Sequence, residues 1–213
     1  MRAFIAVDLP QPIKAALSDE QRALRAAAAL TSGRNEDIKW TRPEGIHLTL
    51  KFLGEISPTQ VTQATQALAE LGSFEPFELR VKGFGFFPDA RRPRVLWVGV
   101  EAPAALGELA HRVETAMNRL GFAAEGRTFS PHLTLARFNV SRPRPELVAC
   151  LEPKTGVILG GFAVSEFFLF ESKLSSGGAQ YQKVARFPPG PKTQVLGVRR
   201  GWRIKVKEMR GKG

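Results

Sequence analysis

The sequence predicts a mixed α/β protein, of the α+β type, made of two similar halves that meet at a central cleft. The tetrapeptide His-Leu-Thr-Leu occurs twice, at residues 47–50 and 132–135. Hydrophobic patterning places a strand and a helix before each copy, and a helix and a strand after it. Such an internal repeat indicates two units related by an approximate two-fold axis, which would bring equivalent strands face to face.

The first half opens with a short apolar strand near the N-terminus. A helix follows at residues 11–29, a segment rich in good helix formers. A polar loop leads to the first motif strand at residues 46–53. Ser57 and Pro58 then provide an N-cap and a first-turn proline for a second helix. Residues 77–87 return as a strand, and a turn at residues 88–94 predicts that this strand forms a hairpin with the next one at residues 95–100.

The second half repeats this order with elements of the same types. They are a strand at residues 95–100, a helix at residues 104–120, the motif strand at residues 132–138, a helix that starts near Pro143 and Pro145, and strands at residues 162–170 and 180–187. Gly121 is a typical C-cap for the first of these helices. The third histidine, His111, lies off the apolar stripe of that helix, so we interpret it as an ordinary exposed residue.

The charge of the chain is concentrated at its C-terminal end. The formal net charge is +11, which usually indicates a polyanionic partner such as nucleic acid. From residue 192 onward, however, eight Lys and Arg stand against one Glu. We therefore divide the chain into one domain at residues 1–188 and a basic tail at residues 189–213. The tail is interpreted as a solvated, disordered extension, an RNA-binding arm or a small hairpin.

Length and composition exclude several classes of protein. With 213 residues, 43% of them hydrophobic, the chain is long enough to bury a core of its own. Its first apolar run is too short for a secretory signal or a membrane span, so we expect a cytoplasmic protein with no membrane partner. The single cysteine excludes an internal disulfide and a cysteine-rich zinc module. We expect a monomer.

The repeated motif uses two of the three histidines, and its spacing indicates a chemistry. Along a strand, His47 and Thr49 share one face, and so do His132 and Thr134. A pair of imidazoles can hold one neutral ring as general base and one protonated ring as general acid. Threonine hydroxyls can donate hydrogen bonds to phosphate oxygens as charge builds. The pattern predicts metal-independent displacement at phosphorus, because a zinc site would need a third ligand at recognisable spacing.

Segments around both motifs resemble a known family. They are the strand at residues 2–7, Arg42-Pro43-Glu44, residues 51–55 and residues 92–97, together with the two motifs themselves. This combination resembles the bacterial and archaeal RNA 2′,3′-cyclic phosphodiesterases once called 2′-5′ RNA ligases, of the two-histidine phosphoesterase superfamily. The resemblance covers about residues 2–187 and does not extend to the tail.

The resemblance implies a bilobal fold in which antiparallel sheets line the cleft and helices lie outside. It implies hydrolysis of RNA 2′,3′-cyclic phosphate ends to 2′-phosphomonoesters, with no cofactor and with such RNA, tRNA fragments included, as the partner. It assigns His47 as proton donor and His132 as proton acceptor. It also assigns three residues to phosphate binding: Thr49, Thr134 and Arg137.

The residues alone leave three points open. The quasi-symmetry makes donor and acceptor interchangeable on physical grounds. Strict alternation along a strand puts Arg137 on the face opposite to His132, so Arg137 would reach the cleft only through a bulge or at the strand's end. The base beside the scissile phosphate would stack on an aromatic ring, for which Trp40, Phe87 and Phe138 are candidates.

Two other functions fit the same residues. One is a phosphodiesterase of the same chemistry that acts on small cyclic-phosphate or 2′-5′ linked nucleotides. The other is a non-catalytic RNA-binding module driven by charge. Reversible 2′-5′ RNA ligation would be hydrolysis run backwards, because the sequence has no Gly-rich phosphate loop followed by Lys-Ser or Lys-Thr to bind ATP.

Overall fold

Strands and helices alternate along most of the chain. The structure is a computed structural model that describes residues 1–32, 37–175 and 178–188, so the basic tail and the hairpin considered for it lie outside the described residues. The strands are β1 (Arg2–Asp8), β2 (Ile38–Trp40), β3 (His47–Glu55), β4 (Phe77–Phe87), β5 (Val95–Glu101), β6 (His132–Phe138), β7 (Ile158–Val164), β8 (Phe167–Ser175) and β9 (Gly178–Phe187). The α-helices are α1 (Gln11–Ser32), α2 (Pro58–Ala69), α3 (Ala104–Arg119) and α4 (Pro145–Leu151).

All strands of the described residues join one antiparallel sheet. Its order is β7-β4-β5-β6-β3-β1-β8-β9, and β2 adds to β6. The sheet therefore consists of two four-stranded lobes, β7-β4-β5-β6 and β3-β1-β8-β9, which join where β3 pairs with β6. The predicted bilobal α/β fold with antiparallel sheets is confirmed. The lobes are continuous, and the two motif strands form the seam between them.

The two lobes do not coincide with the two halves of the sequence. Strand β4 ends the first half but pairs with β5 of the second half, whereas β8 returns to pair with β1. Each lobe therefore contains strands from both halves of the chain. Neither half could complete its own sheet without the other, and this exchange ties the two lobes together.

All four α-helices pack into the same hydrophobic core. In β1, Ile5 and Val7 belong to this core, as do the leucines of both motifs. The alternate residues of β1 point to the opposite face, where Phe4 and Ala6 form a smaller cluster with Phe168. The cleft face of the sheet is therefore distinct from the helix face. Within the described residues, no helix is long and apolar enough to cross a membrane.

A bulge interrupts the second motif strand directly after its threonine. Thr134 pairs with Trp97, but the next pair joins Ala136 to Leu96, so Leu135 is an extra residue in β6. Leu135 and Ala136 are consequently both buried. Side-chain alternation shifts by one residue at this point, and Arg137 becomes exposed.

The first motif strand carries the same bulge. Thr49 pairs with Ala6, and the next pair joins Lys51 to Ile5, so Leu50 is the extra residue in β3. Lys51 is buried on the helix face, and the following Phe52 is exposed. The repeat therefore extends beyond the tetrapeptide to an irregularity of the backbone in both strands.

Most predicted elements are present, including the start of α2, where Ser57 and Gln60 form a capping box. Two predictions were wrong. The short strand β2 was missed, because three residues are too few for a periodic signal. The single strand predicted at residues 162–170 is two strands: β7 ends at Val164, which pairs with Phe77 of one lobe, and β8 begins at Phe167, which pairs with Phe187 of the other.

Candidate active site

The seam between the lobes brings the four motif side chains together. Strands β3 and β6 run antiparallel, with the first leucines of the two motifs paired. Extending this register by one residue sets His47 opposite Thr134 and Thr49 opposite His132. The histidines are then diagonal neighbours, which in a regular antiparallel pair lie about 7–8 Å apart. Such a spacing leaves room for one phosphate group between the rings.

Each motif histidine is held through the same ring nitrogen. Nδ1 of His47 lies 2.7 Å from the carbonyl oxygen of Gly45, and Nδ1 of His132 lies 2.8 Å from that of Ser130. Because a carbonyl oxygen can only accept a hydrogen bond, Nδ1 must carry the hydrogen and donate the hydrogen bond in both rings. Nε2 of each ring is left to exchange a proton with a substrate. The acceptor precedes the histidine by two residues in both motifs.

A short turn sets the orientation of His47. The 3₁₀ helix Pro43–Gly45 ends two residues before His47, where β3 begins, and this presents the carbonyl of Gly45 to the ring. A Cβ atom at Gly45 would lie 2.9 Å from Cε2 of Tyr181. This position therefore accepts no larger residue unless Tyr181 moves.

Aromatic rings surround His47 on the cleft face. The ring of Phe4 stacks on His47 with their centroids 4.4 Å apart, and Tyr181 approaches edge-on at 5.1 Å. Phe170 in turn stacks on Phe4 at 5.1 Å. These contacts limit the access of water to His47 and restrict its rotation.

Burial lowers the pKa of His47 from its usual 6.5 to about 4. The hydrogen bond to Gly45 and the charge of Asp8 raise this pKa, but the effect of burial outweighs them. The charges of Lys14 and Arg137 lower the pKa further. Without ligand, His47 is therefore neutral at pH 7. An anionic phosphate beside the ring would favour the charged form and raise this pKa.

Asp8 is the strand neighbour of His47 on β1 and forms ion pairs with two lysines. Its carboxylate oxygens lie 2.7 Å from Nζ of Lys14 and 2.5 Å from Nζ of Lys183. Burial raises the pKa of Asp8, but the hydrogen bonds and charges of the two lysines outweigh it, so the pKa is below its usual value. Two cations against one anion leave this corner of the cleft net positive, which suits a phosphate.

The His132 side of the cleft has a different aromatic environment. Phe87 contacts His132 edge-on, with their centroids 4.9 Å apart, and packs on Trp97 at 5.1 Å. The Trp97 ring lies over the backbone of Gly85, where a Cβ atom would be 2.2 Å from Cζ2. Phe87 and Trp97 are both half-buried.

The bulge in β6 brings Arg137 to the cleft face, which strict alternation did not allow. Arg137 is exposed and pairs across the strands with Lys39 of β2. The charge of Arg137 also contributes to the low pKa of His47 on the neighbouring strand. Two cations directly opposite each other are unfavourable unless an anion lies nearby, which is consistent with a phosphate site.

Comparison with known proteins identifies the family. The family model described as LigT like Phosphoesterase matches residues 7–97 and again residues 98–181. The chain belongs to this family. The two consecutive matches agree with the duplication that the two motifs indicate.

Curated relatives of this LigT-like phosphoesterase share about a third of its residues. The protein named RNA 2′,3′-cyclic phosphodiesterase of Methanothermobacter thermautotrophicus is 33% identical over 88% of this chain and 98% of the relative. The protein of the same name in Archaeoglobus fulgidus is 31% identical over 88% of this chain and 99% of the relative.

Solved structures of the family have the same fold. TT0787 of Thermus thermophilus is 29% identical with a TM-score of 0.71, over 88% of this chain and 97% of TT0787. Escherichia coli LigT complexed with 3′-AMP is 26% identical with a TM-score of 0.66, over 87% of this chain and 96% of LigT.

Three residues in or next to the motif strands lie outside the cleft of this LigT-like phosphoesterase. The bulge turns Lys51 to the helix face, where its Nζ lies 2.7 Å from Oε2 of Glu114. Phe138 is buried in the main core. Trp40 packs against that core, and the guanidinium of Arg25 from α1 lies over its ring. Of the three candidates for base stacking, Phe87 lies beside a motif histidine.

Sequence reasoning missed the aromatic residues of the lobe that contains β3 and His47. Three of its rings lie on the cleft face: Phe4, Phe52 and Tyr181. The sequence analysis gave these residues no role in the site. Aligning the two motif strands would have pointed to Phe52, since it occupies the position of Arg137, five residues after the histidine. Among the described residues, no group of three His, Cys, Asp or Glu lies close enough together to hold a metal ion.

Proposed function

We propose that this LigT-like phosphoesterase hydrolyses the 2′,3′-cyclic phosphate at an RNA end to a 2′-phosphomonoester, using general acid and base catalysis without a metal ion. The main support is that two histidines on neighbouring strands are fixed through Nδ1 in the same way, which leaves Nε2 of each ring as the atom that can exchange a proton. The names of the curated relatives support RNA as the substrate, and the complex of E. coli LigT with 3′-AMP supports a ribonucleotide phosphate as ligand.

In the proposed reaction, one histidine removes a proton while the other delivers one. Nε2 of His132 takes a proton from water as the water oxygen bonds to phosphorus. The P–O3′ bond breaks, and protonated His47 gives its Nε2 hydrogen to O3′. Three side chains bind the non-bridging oxygens: Thr49, Thr134 and Arg137. Exchange with solvent then returns a proton to His47 and removes one from His132.

The donor role requires His47 to take up a proton in the enzyme–substrate complex. Its low pKa in the free protein results from burial, so a bound anion has to supply the compensating charge. The cyclic phosphate, with one negative charge next to the ring, provides it. Substrate binding and protonation of His47 are therefore coupled.

The direct test follows a short RNA with a 2′,3′-cyclic phosphate end in the presence of EDTA. We expect turnover to a 2′-phosphate product, and we expect His47→Ala or His132→Ala to lower kcat by about 10²- to 10⁴-fold. The exposed helical His111→Ala is the matched control and should retain full activity. Loss of activity in EDTA, or full activity in either motif variant, would refute the proposal.

A higher kcat/KM on cyclic mononucleotides than on RNA would favour a small-nucleotide enzyme.

A substrate with sulfur in place of the bridging O3′ separates the roles of the two histidines. A thiolate leaves without protonation, so the acid becomes dispensable whereas the base does not. His47→Ala should therefore regain most of its lost rate on this substrate, and His132→Ala should not. If His132→Ala regained its rate instead, His132 would be the acid and His47 the base.

Any 2′-5′ RNA ligation by this site would be the reverse of the hydrolysis. Attack of a 5′-hydroxyl group in place of water uses the same two histidines and needs no nucleotide cofactor. We expect joining of a cyclic-phosphate end to a 5′-hydroxyl end to be independent of ATP. Release of AMP during joining would contradict this mechanism.

A further inference from the structure

One polar side chain lies inside the apolar stripe of helix α1. Gln21 is only 2% exposed and lies on the same face of α1 as Leu17 and Leu24, both of which are buried in the main core. Burial of an amide costs free energy unless the amide forms hydrogen bonds. The proposed reaction gives Gln21 no part, because this residue lies on the helix face of the sheet and not in the cleft. Its partners therefore indicate what it does.

The amide of Gln21 bonds to the backbone of two neighbouring segments. Its Nε2 lies 2.7 Å from the carbonyl oxygen of Thr41, directly after β2, and 2.9 Å from the carbonyl oxygen of Leu135 in β6. Because both partners can only accept, the amide donates both of its N–H groups. The backbone N–H of Thr41 donates to the same oxygen of Leu135 at 2.8 Å. This carbonyl oxygen therefore accepts two hydrogen bonds.

Leu135 is the extra residue of the bulge that brings Arg137 to the cleft face. A bulge leaves its extra residue without a regular partner in the strand ladder. Leu135 is fully buried, so its carbonyl group has to find a hydrogen-bond donor within the protein. Gln21 and Thr41 provide the donors. The conformation of the bulge, and with it the position of Arg137, therefore depends on a side chain from α1.

The bulge in the first motif strand is held in a different way. Four residues after its histidine is Lys51, whose buried Nζ bonds to the carbonyl oxygen of Ala123 and to Glu114 of α3. The equivalent position in the second motif strand is Ala136, which has no polar side chain. The second bulge is therefore held from outside its own strand, by Gln21 of α1.

We propose that Gln21 is a positioning residue for Arg137, because its hydrogen bonds to Leu135 and Thr41 fix the bulge that presents the guanidinium to the phosphate. This inference rests on the proposed function, in which Arg137 binds a non-bridging oxygen. Without these bonds the bulge can shift, and a displacement of about 1 Å can lower a rate by about 10²-fold. The bulge itself should persist, because a regular strand would bury the charge of Arg137 against the helices.

A double-mutant cycle on kcat/KM tests the inference, with a cyclic-phosphate RNA as substrate and at a temperature where all variants are folded. Gln21→Met keeps the length of the side chain but removes both donors, and we expect it to lower kcat/KM by about tenfold. In an Arg137→Met background the same substitution should change kcat/KM by less than about twofold, because no guanidinium remains to be positioned. A merely structural role would lower stability without making the loss of kcat/KM depend on Arg137.

Leu68→Ala is the control, because it removes buried apolar contacts from α2, which contacts β9 in the other lobe. It should lower the urea midpoint of unfolding but leave kcat/KM within about twofold of wild type. If Gln21→Met does not fold, the same cycle is measured with Gln21→Asn, whose shorter amide cannot reach both carbonyl oxygens.

Two results would overturn the inference: an equal loss of kcat/KM from the Gln21 substitution in both backgrounds, or no loss in either. Absence of turnover by the wild-type protein, or full activity of Arg137→Met, would instead contradict the proposed function and the inference with it. The failure of the inference alone is therefore distinguishable from the failure of the function on which it rests.

Discussion

At the scale of single residues, the hydrogen bond from Nδ1 decides what each motif histidine can do. A hydrogen on Nδ1 leaves Nε2 as the reactive atom in both rings, and the acceptor is a backbone carbonyl that side-chain substitution does not remove. Stacked aromatic rings bury His47, and this burial lowers its pKa, whereas Phe87 contacts His132 edge-on. The same sequence motif therefore lies in two different aromatic environments.

Nitrogen-15 NMR of the histidine rings tests the effect of burial on His47. In the free protein we expect His47 to titrate with a pKa of about 4 and to remain the Nδ1–H tautomer above that pH. Inorganic phosphate or adenosine 2′-phosphate should raise this pKa, because a bound anion favours the charged ring. A pKa near 6.5 in the free protein, or no shift on addition of ligand, would contradict the proposed coupling of binding and protonation. With three histidines in the chain, His111→Asn simplifies the assignment.

Arg137 should act as a bidentate phosphate contact rather than as a general positive charge. We expect Arg137→Met to lower kcat/KM by about 10- to 100-fold, since hydrogen bonds to charged groups contribute about 1.5–3 kcal/mol. Arg137→Lys should recover only part of this loss, because a lysine cannot bind two oxygens in the same geometry. Arg119→Met, at the exposed end of α3, makes the same charge change elsewhere and should have little effect. Equal activity of the Lys variant and the wild type would argue for charge alone.

At the scale of secondary structure, the two bulges decide which side chains reach the cleft. Counted from the histidine, strict alternation predicts Lys51 on the cleft face and Arg137 on the helix face. In the structure Lys51 lies on the helix face and Arg137 lies on the cleft face. The sequence around each bulge contains no glycine or proline to mark it. The irregularity follows from tertiary pairing with β1 and β5, so strand periodicity alone could not predict it.

The Lys51–Glu114 pair joins the first motif strand to α3. Nζ of Lys51 is buried and bonds to Oε2 of Glu114 at 2.7 Å and to the carbonyl oxygen of Ala123 at 2.9 Å. Burial raises the pKa of Glu114, but hydrogen bonds from Lys51 and from the backbone of Glu125 outweigh it and lower the pKa below 4.5. This carboxylate therefore stabilises the fold above about pH 4.5, and its contribution is lost as the pH falls through the lower, folded-state pKa.

Removal of Glu114 should leave a buried lysine without its counter-charge. We expect Glu114→Ala to lower the free energy of unfolding at pH 7 by about 3 kcal/mol, measured by urea denaturation. In a Lys51→Met background the same substitution should cost much less, because no buried charge remains unpaired. The fall in stability between pH 5 and pH 3 should also be smaller in Glu114→Ala. An equal loss in both backgrounds would show that the pair does not interact.

At the scale of the whole molecule, the internal duplication explains most of what the sequence predicted. The fold was predicted from the repeated tetrapeptide, the alternation of strands and helices and the cap at Ser57. The candidate histidines, His47 and His132, were predicted from the spacing within the motif. The hairpin of residues 77–87 and 95–100 was predicted from the turn between them and is confirmed as the pair β4 and β5. The return of β8 to pair with β1 was not predictable, because it depends on long-range pairing. Phe4 and Tyr181 were missed for the same reason, because they come from β1 and β9.

The central claim is that His47 and His132 act on one phosphorus atom in one step. The most direct test measures kcat on a cyclic-phosphate RNA in EDTA for both single alanine variants and for the double variant. If the two histidines work as a unit, the double variant should be within about tenfold of the slower single variant. Multiplication of the two single effects in the double variant, or full activity in either single variant, would contradict the account.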